Sequence, residues 1–485
     1  MANNADSTAT STAADPDQAT IPAETPAQAT NPVQAEATSN RAAAWSEGFK
    51  AFIGTGWADR DEPLPPARDI APLTAARRDR LSAAFPGKRL VLPAGGMSQR
   101  SNDTDYLYRA HSAFSYLTGW GSESEPDSVL VFEPTETGHD VVLHFRERAG
   151  RDTDEFYTNA AIGEFWIGAR PSLAQVAADL GVGTAHLDAF SAGGDDLVLD
   201  RDDELTSFVS AMRLVKDDYE IAQMRLAVDA TARGFDDVVA DLPRIAAHPR
   251  GERLVEGVFY GRARADGNGV GYETIAASGP HACILHWTRN DGPVVPGDLI
   301  LIDAGVELDS YYTADITRTI PVSGTFTDVQ RRVYEAVREA ADAAFAIVKP
   351  GIRFREVHAT AMAVIAKRTA EWGLLPVTAE EALEADNQQH RRYMVHGTSH
   401  HLGIDVHDCA QARREMYYDG IVEPGMVFTI EPGLYFQPDD LTVPAEYRGI
   451  GVRIEDDILV TADGAENLSA GIPRTADEVE AWLAR

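Results

Sequence analysis

Four carboxylates and a group of histidines stand where a folded chain would have difficulty leaving them bare. Asp303 closes the apolar run of PGDLILIDAG, Pro296 to Gly305, and Glu431 closes that of PGMVFTIEPG, Pro424 to Gly433. The two stretches align position for position without a gap, and each sets its acid two residues before a closing glycine. Asp315 follows in YYTADITRTIP and Glu455 in GIGVRIEDDILV. Between them, HGTSHHLGIDVHD packs His396, His400, His401 and His407 into twelve residues of a chain that has 13 histidines. A single acid at a strand end is ordinarily a turn or cap residue. Recurrence changes that reading, because burying a carboxylate alone costs several kcal/mol and acids at matched strand ends imply a shared countercharge.

Asp303, Asp315, one histidine of the cluster, Glu431 and Glu455 make an oxygen-rich donor set with one imidazole. Such a set suits hard or borderline divalent ions, Mn2+, Co2+ or Fe2+, better than structural zinc, which prefers thiolates and more histidines. Four carboxylates exceed the need of one ion, whereas two ions about 3.5–4 Å apart would neutralise them and generate a hydrolytic nucleophile at neutral pH. Rival chemistries lack their signatures: the chain contains no G-x-S-x-G elbow, no phosphate-binding G-x-x-x-x-G-K-[ST] and no H-E-x-x-H. GNGVG, Gly267 to Gly271, reads as a loop. His401 is expected to point away from its neighbour His400, since successive residues of a strand face opposite sides.

The elements that must position these residues are legible around them. The matched Pro-Gly strands, more than a hundred residues apart, point to an internal duplication with pseudo-twofold symmetry. DVQRRVYEAVREAADAAFAIV and FREVHATAMAVIAKRTAEWG carry helical periodicity, separated by the breaker KPGIR. Upstream, LTAARRDRLSAAF, KRLVLPAG, SVLVFEP, DVVLHF and TAHLDAF alternate helix and strand patterns, an α/β signal. The stretch from Ala211 to Leu242 predicts one long helix opening the second unit.

Composition sets the outer bounds. At 485 residues there is room for two or three domains. Forty-three basic against 76 acidic residues give a net charge of −33, which argues against nucleic acid as the main partner. No run approaches the ~18 apolar residues of a membrane-crossing helix. Two cysteines, Cys283 and Cys409, rule out a disulfide framework. The first forty or so residues lack aromatics and nearly all bulky aliphatics, so they are expected to be disordered, and without a basic start and apolar centre they are no signal peptide.

Together LILIDAG, ADITRT, HGTSHHLGIDVHD, FTIEPGLY and GVRIEDD resemble, in order, the blocks of the aminopeptidase P and prolidase branch of the pita-bread metallopeptidases. YRAHSAFSYLTGW and RLVKDDYEIAQMR resemble that branch's N-terminal domain and interdomain helix. The resemblance implies an α/β (α+β) architecture: a disordered leader over 1–60, an N-terminal α/β domain over 61–213 and a pita-bread catalytic domain with pseudo-twofold symmetry over 214–485. It implies metal ligands Asp303, Asp315, His400, Glu431 and Glu455 for two divalent ions, most often manganese, with Asp315 and Glu455 bridging. Glu431, His286 of CILHWT and His407 of DVHD match catalytic positions, and the two histidines also match substrate-binding positions together with His396, Tyr435 and Arg453.

The implied activity is that of a cytoplasmic, metal-dependent Xaa-Pro aminopeptidase, a dimer or tetramer that uses a metal-bridged hydroxide on peptides with proline second. Prolidase, acting on Xaa-Pro dipeptides alone, is the near alternative. Methionine aminopeptidase resembles only the catalytic half. A peptidase-dead binding module is a reading of another class, and the intact ligand positions speak against it. Three features depart from the family pattern: His401 stands where a large apolar or aromatic residue is more common, Ala314 stands where glycine is common, and one extra residue separates Asp303 from Asp315.

Overall fold

The computed structural model describes residues 44–102 and 104–485. Up to residue 43 the leader assigned to 1–60 lies outside the described residues. Its remainder contains a short helix, Glu47–Ile53, capped by Ser46, where Trp45 and Phe49 pack against Tyr157. Aromatic side chains, absent from the first forty residues, give this helix something to pack on.

The N-terminal half is built on a mixed five-stranded sheet in the order Gly183–His186, His139–Phe145, Val129–Pro134, Leu90–Pro93, Leu197–Val198. Its inner pairs are antiparallel and its outer pairs parallel. Leu90, Leu92, Phe132 and Phe145 meet Phe114 and Leu117 of the helix Ser112–Thr118, with Trp120 just beyond it, in one apolar core. The stretch expected as one helix over 211–242 is two, Asp203–Met212 and Asp218–Ala246. The reason is local: Asp217 accepts from Glu220 N at 3.0 Å while the Glu220 carboxylate accepts from Asp217 N at 3.0 Å, a reciprocal cap that starts a new helix.

From Asp218 onward one arrangement occurs twice. The helices Asp218–Ala246 and Gly251–Asp266 precede the antiparallel pair Leu299–Ala304 and Ile316–Pro321, and the helices Asp328–Ala346 and Arg355–Glu371 precede the pair Val427–Ile430 and Asp456–Val460. Asp303 lies at the end of one outgoing strand and Glu431 just past the end of the other. Asp315 and Glu455 each directly precede a returning strand. This is the pseudo-twofold that the matched segments predict. The closing glycines have a steric cause, since a Cβ on Gly305 would collide with the Ala314 carbonyl and one on Gly433 with the Tyr435 hydroxyl. Both outgoing strands are buried along their length, which accounts for a sequence that is apolar apart from Asp303 and Thr429. GNGVG departs from its reading as a loop, because Gly269–Val270 pairs with Val306–Glu307 and so leads into Tyr272. Strands this short and glycine-rich carry no periodicity to read. No helix among the described residues is long and apolar enough to cross a membrane.

The halves share a core: Tyr311, Tyr312, Leu402, Ile404 and Val427 join the cluster that holds Trp120 and Leu205. A buried ion network crosses the same boundary. Lys216 Nζ lies 3.1 Å from Asp408 Oδ2, and Arg213 Nη1 lies 3.1 Å from Asp405 Oδ2 and 3.4 Å from Asp408 Oδ1. Burial alone would raise the Asp408 pKa, yet Arg213 and Lys216 hold it below the ordinary value. A carboxyl depressed in this way stabilises the fold above its unfolded pKa and loses that contribution as pH falls through the folded one. Lys216→Met, which leaves Asp408 with Arg213 alone, is expected to cost about 3–5 kcal/mol in urea unfolding near neutral pH. The loss should shrink at about pH 3.5, where an underpaired Asp408 is protonated; an equal loss at both pH values would assign it to packing of the lysine stem.

Candidate active site

Asp303, Asp315, His400, Glu431 and Glu455 converge from separate chain positions. Asp303 is held in strand register opposite Thr317, and Glu455 N donates to Thr317 O at 3.1 Å, which brings the second unit's acid beside the first unit's hairpin. Glu431 N donates to Thr398 O at 2.8 Å and Thr429 N to His400 O at 2.9 Å, so the segment from Thr398 to His400 runs along the strand Val427–Ile430 and is carried to the acids. His400 Nε2 lies 3.2 Å from Asp315 Oδ2, 3.6 Å from Glu431 Oε1 and 4.0 Å from Glu455 Oε1. Ligand atoms of Asp315, His400 and Glu455 all fall within 4.8 Å of one another.

A hydrogen-bonded shell fixes these acids. The Tyr272 hydroxyl lies 2.7 Å from Asp303 Oδ1 and 2.5 Å from Asp315 Oδ1, so its one proton is shared. Arg453 pairs with Asp303 Oδ2 and donates from Nε to Thr317 Oγ1 at 3.0 Å, and Thr317 in turn donates to Glu455 Oε2 at 2.6 Å. Arg453 Nη1 also donates to the Tyr435 hydroxyl at 3.2 Å, and that hydroxyl lies 2.8 Å from His396 Nε2. His396 Nδ1 stands 3.6 Å from Glu431 Oε2, which closes a circuit from Asp303 through Arg453, Tyr435 and His396 to Glu431. The His407 ring meets the His400 ring edge to face at 4.5 Å. His286 faces the group from an exposed loop, near enough for its charge to add to what lowers the pKa of both His396 and His407, after burial in each case. All ten residues singled out in the sequence therefore border one site. His401 faces the other way, stacked on Phe354 at 4.5 Å.

The electrostatics test whether these residues fit divalent ions. Burial, with the neighbouring acids adding their repulsion, pushes Glu455 well above the ordinary carboxyl range, raises Asp315, and takes Glu431 up to about 7. Burial would lower His400, but the Asp315 hydrogen bond and the Asp315 and Glu431 charges carry it up to about 9. Ionised together, as ligands are, Asp303, Asp315, Glu431 and Glu455 would face among the described residues only the Arg453 and His400 cations. Four negative against two positive groups leave the cluster short of positive charge, and an oxygen-rich set with one imidazole is the donor set that divalent ions take. The fit holds.

Sequence reasoning left several supporting residues without a role. Tyr272 follows a stretch read as a loop, and a lone tyrosine there gives no signal. Arg318 is visible in ADITRT, but its role is not: it is fully buried, donates to Glu455 O at 2.6 Å and pairs with Asp456 at 2.8 Å. Asp457, also buried, accepts from Asp315 N at 3.2 Å.

Comparison with known proteins adds kinship to geometry. A sequence profile described as Metallopeptidase family M24 matches residues 222–462, and one described as Aminopeptidase P, N-terminal domain, matches residues 74–200. Over 456 residues the chain is 51% identical to Xaa-Pro aminopeptidase 1 of Streptomyces coelicolor, which covers 89% of this chain and 90% of that one. It is 34% identical over 448 residues to the Xaa-Pro aminopeptidase of Escherichia coli, covering 82% of this chain and 94% of that one. Zinc-substituted aminopeptidase P of Escherichia coli, solved in complex with product, superposes with a TM-score of 0.73 at 31% identity, covering 87% of this chain and 99% of that one. An aminopeptidase of Pseudomonas aeruginosa superposes equally well, with a TM-score of 0.73 at 31% identity, covering 86% of this chain and 98% of that one.

Removing the Tyr272 hydroxyl leaves Asp303 and Asp315 without their shared proton. Tyr272→Phe is expected to weaken divalent-ion binding by roughly 10- to 100-fold, as loss of a ligand's hydrogen-bond partner does. Calorimetric titration with Mn2+ checks this, and an unchanged affinity would remove Tyr272 from the support of the site.

Proposed function

The chain belongs to metallopeptidase family M24 and is an Xaa-Pro aminopeptidase, and from that premise we propose that Asp303, Asp315, His400, Glu431 and Glu455 hold two divalent ions, manganese first among them. The observation that carries this reading is the gathering of four buried acids at one point, more than the charges of Arg453 and His400 neutralise. Bound there, the ions supply Lewis-acid polarisation and lower the pKa of a water.

The remaining work belongs to the protein. Glu431 turns Oε1 toward His400 and Oε2 toward His396, so one oxygen is free to act as a base. It takes a proton from the attacking water and returns it to the prolyl nitrogen as the C–N bond breaks, which leaves that nitrogen a secondary amine. His286 and His407 supply N–H donors to the oxygen of the scissile carbonyl as charge develops on it. His396, Tyr435 and Arg453 bind substrate, and the Arg453 pairing with Asp303 ties that binding surface to the acids. The substrates are peptides with proline second. A prolyl nitrogen carries no N–H once acylated and its ring fixes φ, so general peptidases handle it badly and a dedicated site is required.

Domain limits of 61–213 and 214–485 are supported by the break between Met212 and Asp218. The buried free thiols of Cys283 and Cys409 support a cytoplasmic setting. Assembly as a dimer or tetramer rests on the family resemblance, and sedimentation equilibrium tests it.

Two experiments test the function. Metal-stripped protein is expected to be inactive and to recover with Mn2+, cleaving an Xaa-Pro-Xaa tripeptide faster than an Xaa-Pro dipeptide. Cleavage of the dipeptide alone would make it a prolidase, and cleavage of neither would favour a binding module. Glu431→Ala is expected to lower kcat by at least about 100-fold and to weaken metal binding; near-normal turnover would end the assignment of Glu431.

A further inference from the structure

We infer that Glu252 is a positioning residue for this reaction: it fastens the loop 278–292 at its start, middle and end, and so fixes His286. The inference rests on the oxyanion role given to His286 above. Glu252 lies in the first turn of the helix Gly251–Asp266, away from the acid cluster, and is completely buried. Its Oε1 accepts from Ser278 N at 2.9 Å and from His281 Nδ1 at 2.7 Å, and its Oε2 accepts from Trp287 Nε1 at 2.9 Å and from Gly292 N at 2.6 Å. All of these donors come from the one segment that carries His286. Because an ionised carboxylate only accepts, His281 must hold its proton on Nδ1.

The loop is shaped around this carboxylate. The His281 and Trp287 rings stack at 3.8 Å beside it, and a Cβ on Gly292 would press against both His281 and the Glu252 Oε2. Trp287 is the residue next to His286, and Thr288 N donates to His286 O at 3.0 Å, so an anchor on the indole fixes the turn that presents the imidazole. A buried anion is tolerable here because several donors and a helix N-terminus share its charge. Glutamine cannot replace it, since an amide offers one acceptor and turns two donors toward groups that also donate.

Glu252 also touches the strand Ile275–Ser278, which pairs with the Asp303 strand, so a general structural effect would disturb the acids as well. The test separates the two. In the full-length Mn2+-loaded protein, kcat/KM for an Xaa-Pro-Xaa tripeptide is measured for Glu252→Gln, His286→Ala and the double variant, together with bound manganese and the rate of tryptic cleavage after Arg289, whose side chain is 72% exposed within the loop. Glu252→Gln is expected to lower kcat/KM by roughly 10- to 100-fold, mainly through kcat, and to add little once His286 is gone. Metal content should hold, and cleavage after Arg289 should speed up. Trp287→Phe, which keeps an aromatic ring and removes one donor, should show the same pattern more weakly if Glu252→Gln fails to fold. Effects that multiply with those of His286→Ala, or manganese lost in parallel with activity, would overturn the inference while leaving His286 its role. A His286→Ala variant of normal kcat/KM would instead overturn the His286 reading and this inference with it.

Discussion

Everything in the catalytic half answers to one constraint, an excess of negative charge that is held out of water. Asp315, Glu431 and Glu455 gather round the His400 imidazole and Asp303 pairs with Arg453, the one guanidinium among the described residues paired directly to any of the four. Carboxylates free to move would separate or reach solvent. These cannot, because Asp303 is held on a paired strand, Glu431 stands just past the end of another, and Asp315 and Glu455 stand where a returning strand begins, and a strand's side chains are fixed by its register. The shell around them makes the confinement tolerable by spreading donors: one tyrosine proton over two aspartates, a threonine hydroxyl on Glu455, and the N–H of Asp315 on a further buried acid, Asp457. These bonds orient the ligands, but they do not neutralise them. The deficit that remains is the one the proposed pair of divalent ions would fill.

Duplication explains how one chain can bring four acids together without a long irregular loop for each. Every unit offers an outgoing strand with an acid at its end and a returning strand with an acid at its start. Packing two such hairpins with their ends facing each other delivers the whole set, and Glu455 N bonded to Thr317 O shows the second hairpin laid against the first. The helices behind each hairpin bury the far faces, so the outgoing strands are mostly apolar, and the polar residues buried in the hairpins, Thr317, Arg318, Thr319 and Thr429, are hydrogen-bonded to the opposing segments.

This arrangement also decides what could be read from sequence. The clustered acids were legible because they interrupt strongly patterned strands and because the interruption occurs twice. The histidine cluster was legible from its density alone, and His401 could be separated from His400 by strand alternation. What stayed hidden depends on contacts between distant segments. Tyr272 joins Asp303 to Asp315 from a glycine-rich stretch, and Arg318 reads as one more arginine until its burial against Glu455 and Asp456 is seen. The cap at Asp217 was readable in principle as D-x-x-E, yet the apolar periodicity on either side of it ran on without a break and concealed it.

The N-terminal half has a part in the chemistry that its distance from the acids would not suggest. Asp405 and Asp408 flank His407, and both are held by residues that precede the helix Asp218–Ala246, Asp405 by Arg213 and Ser112 and Asp408 by Arg213 and Lys216. Arg109 adds a bond to the carbonyl of Ile404 at 2.8 Å and a pairing with Glu307 at 2.7 Å. The segment that bears His407 is therefore clamped by residues before Asp217, while the loop that bears His286 is clamped by Glu252 within the catalytic half. The two histidines proposed to meet one carbonyl oxygen are thus set by two separate anchors on the same framework, and their spacing is only as firm as the boundary between the halves. That boundary is apolar at its centre and ionic where it reaches the histidine loop, so the N-terminal half acts on the site as a structural brace.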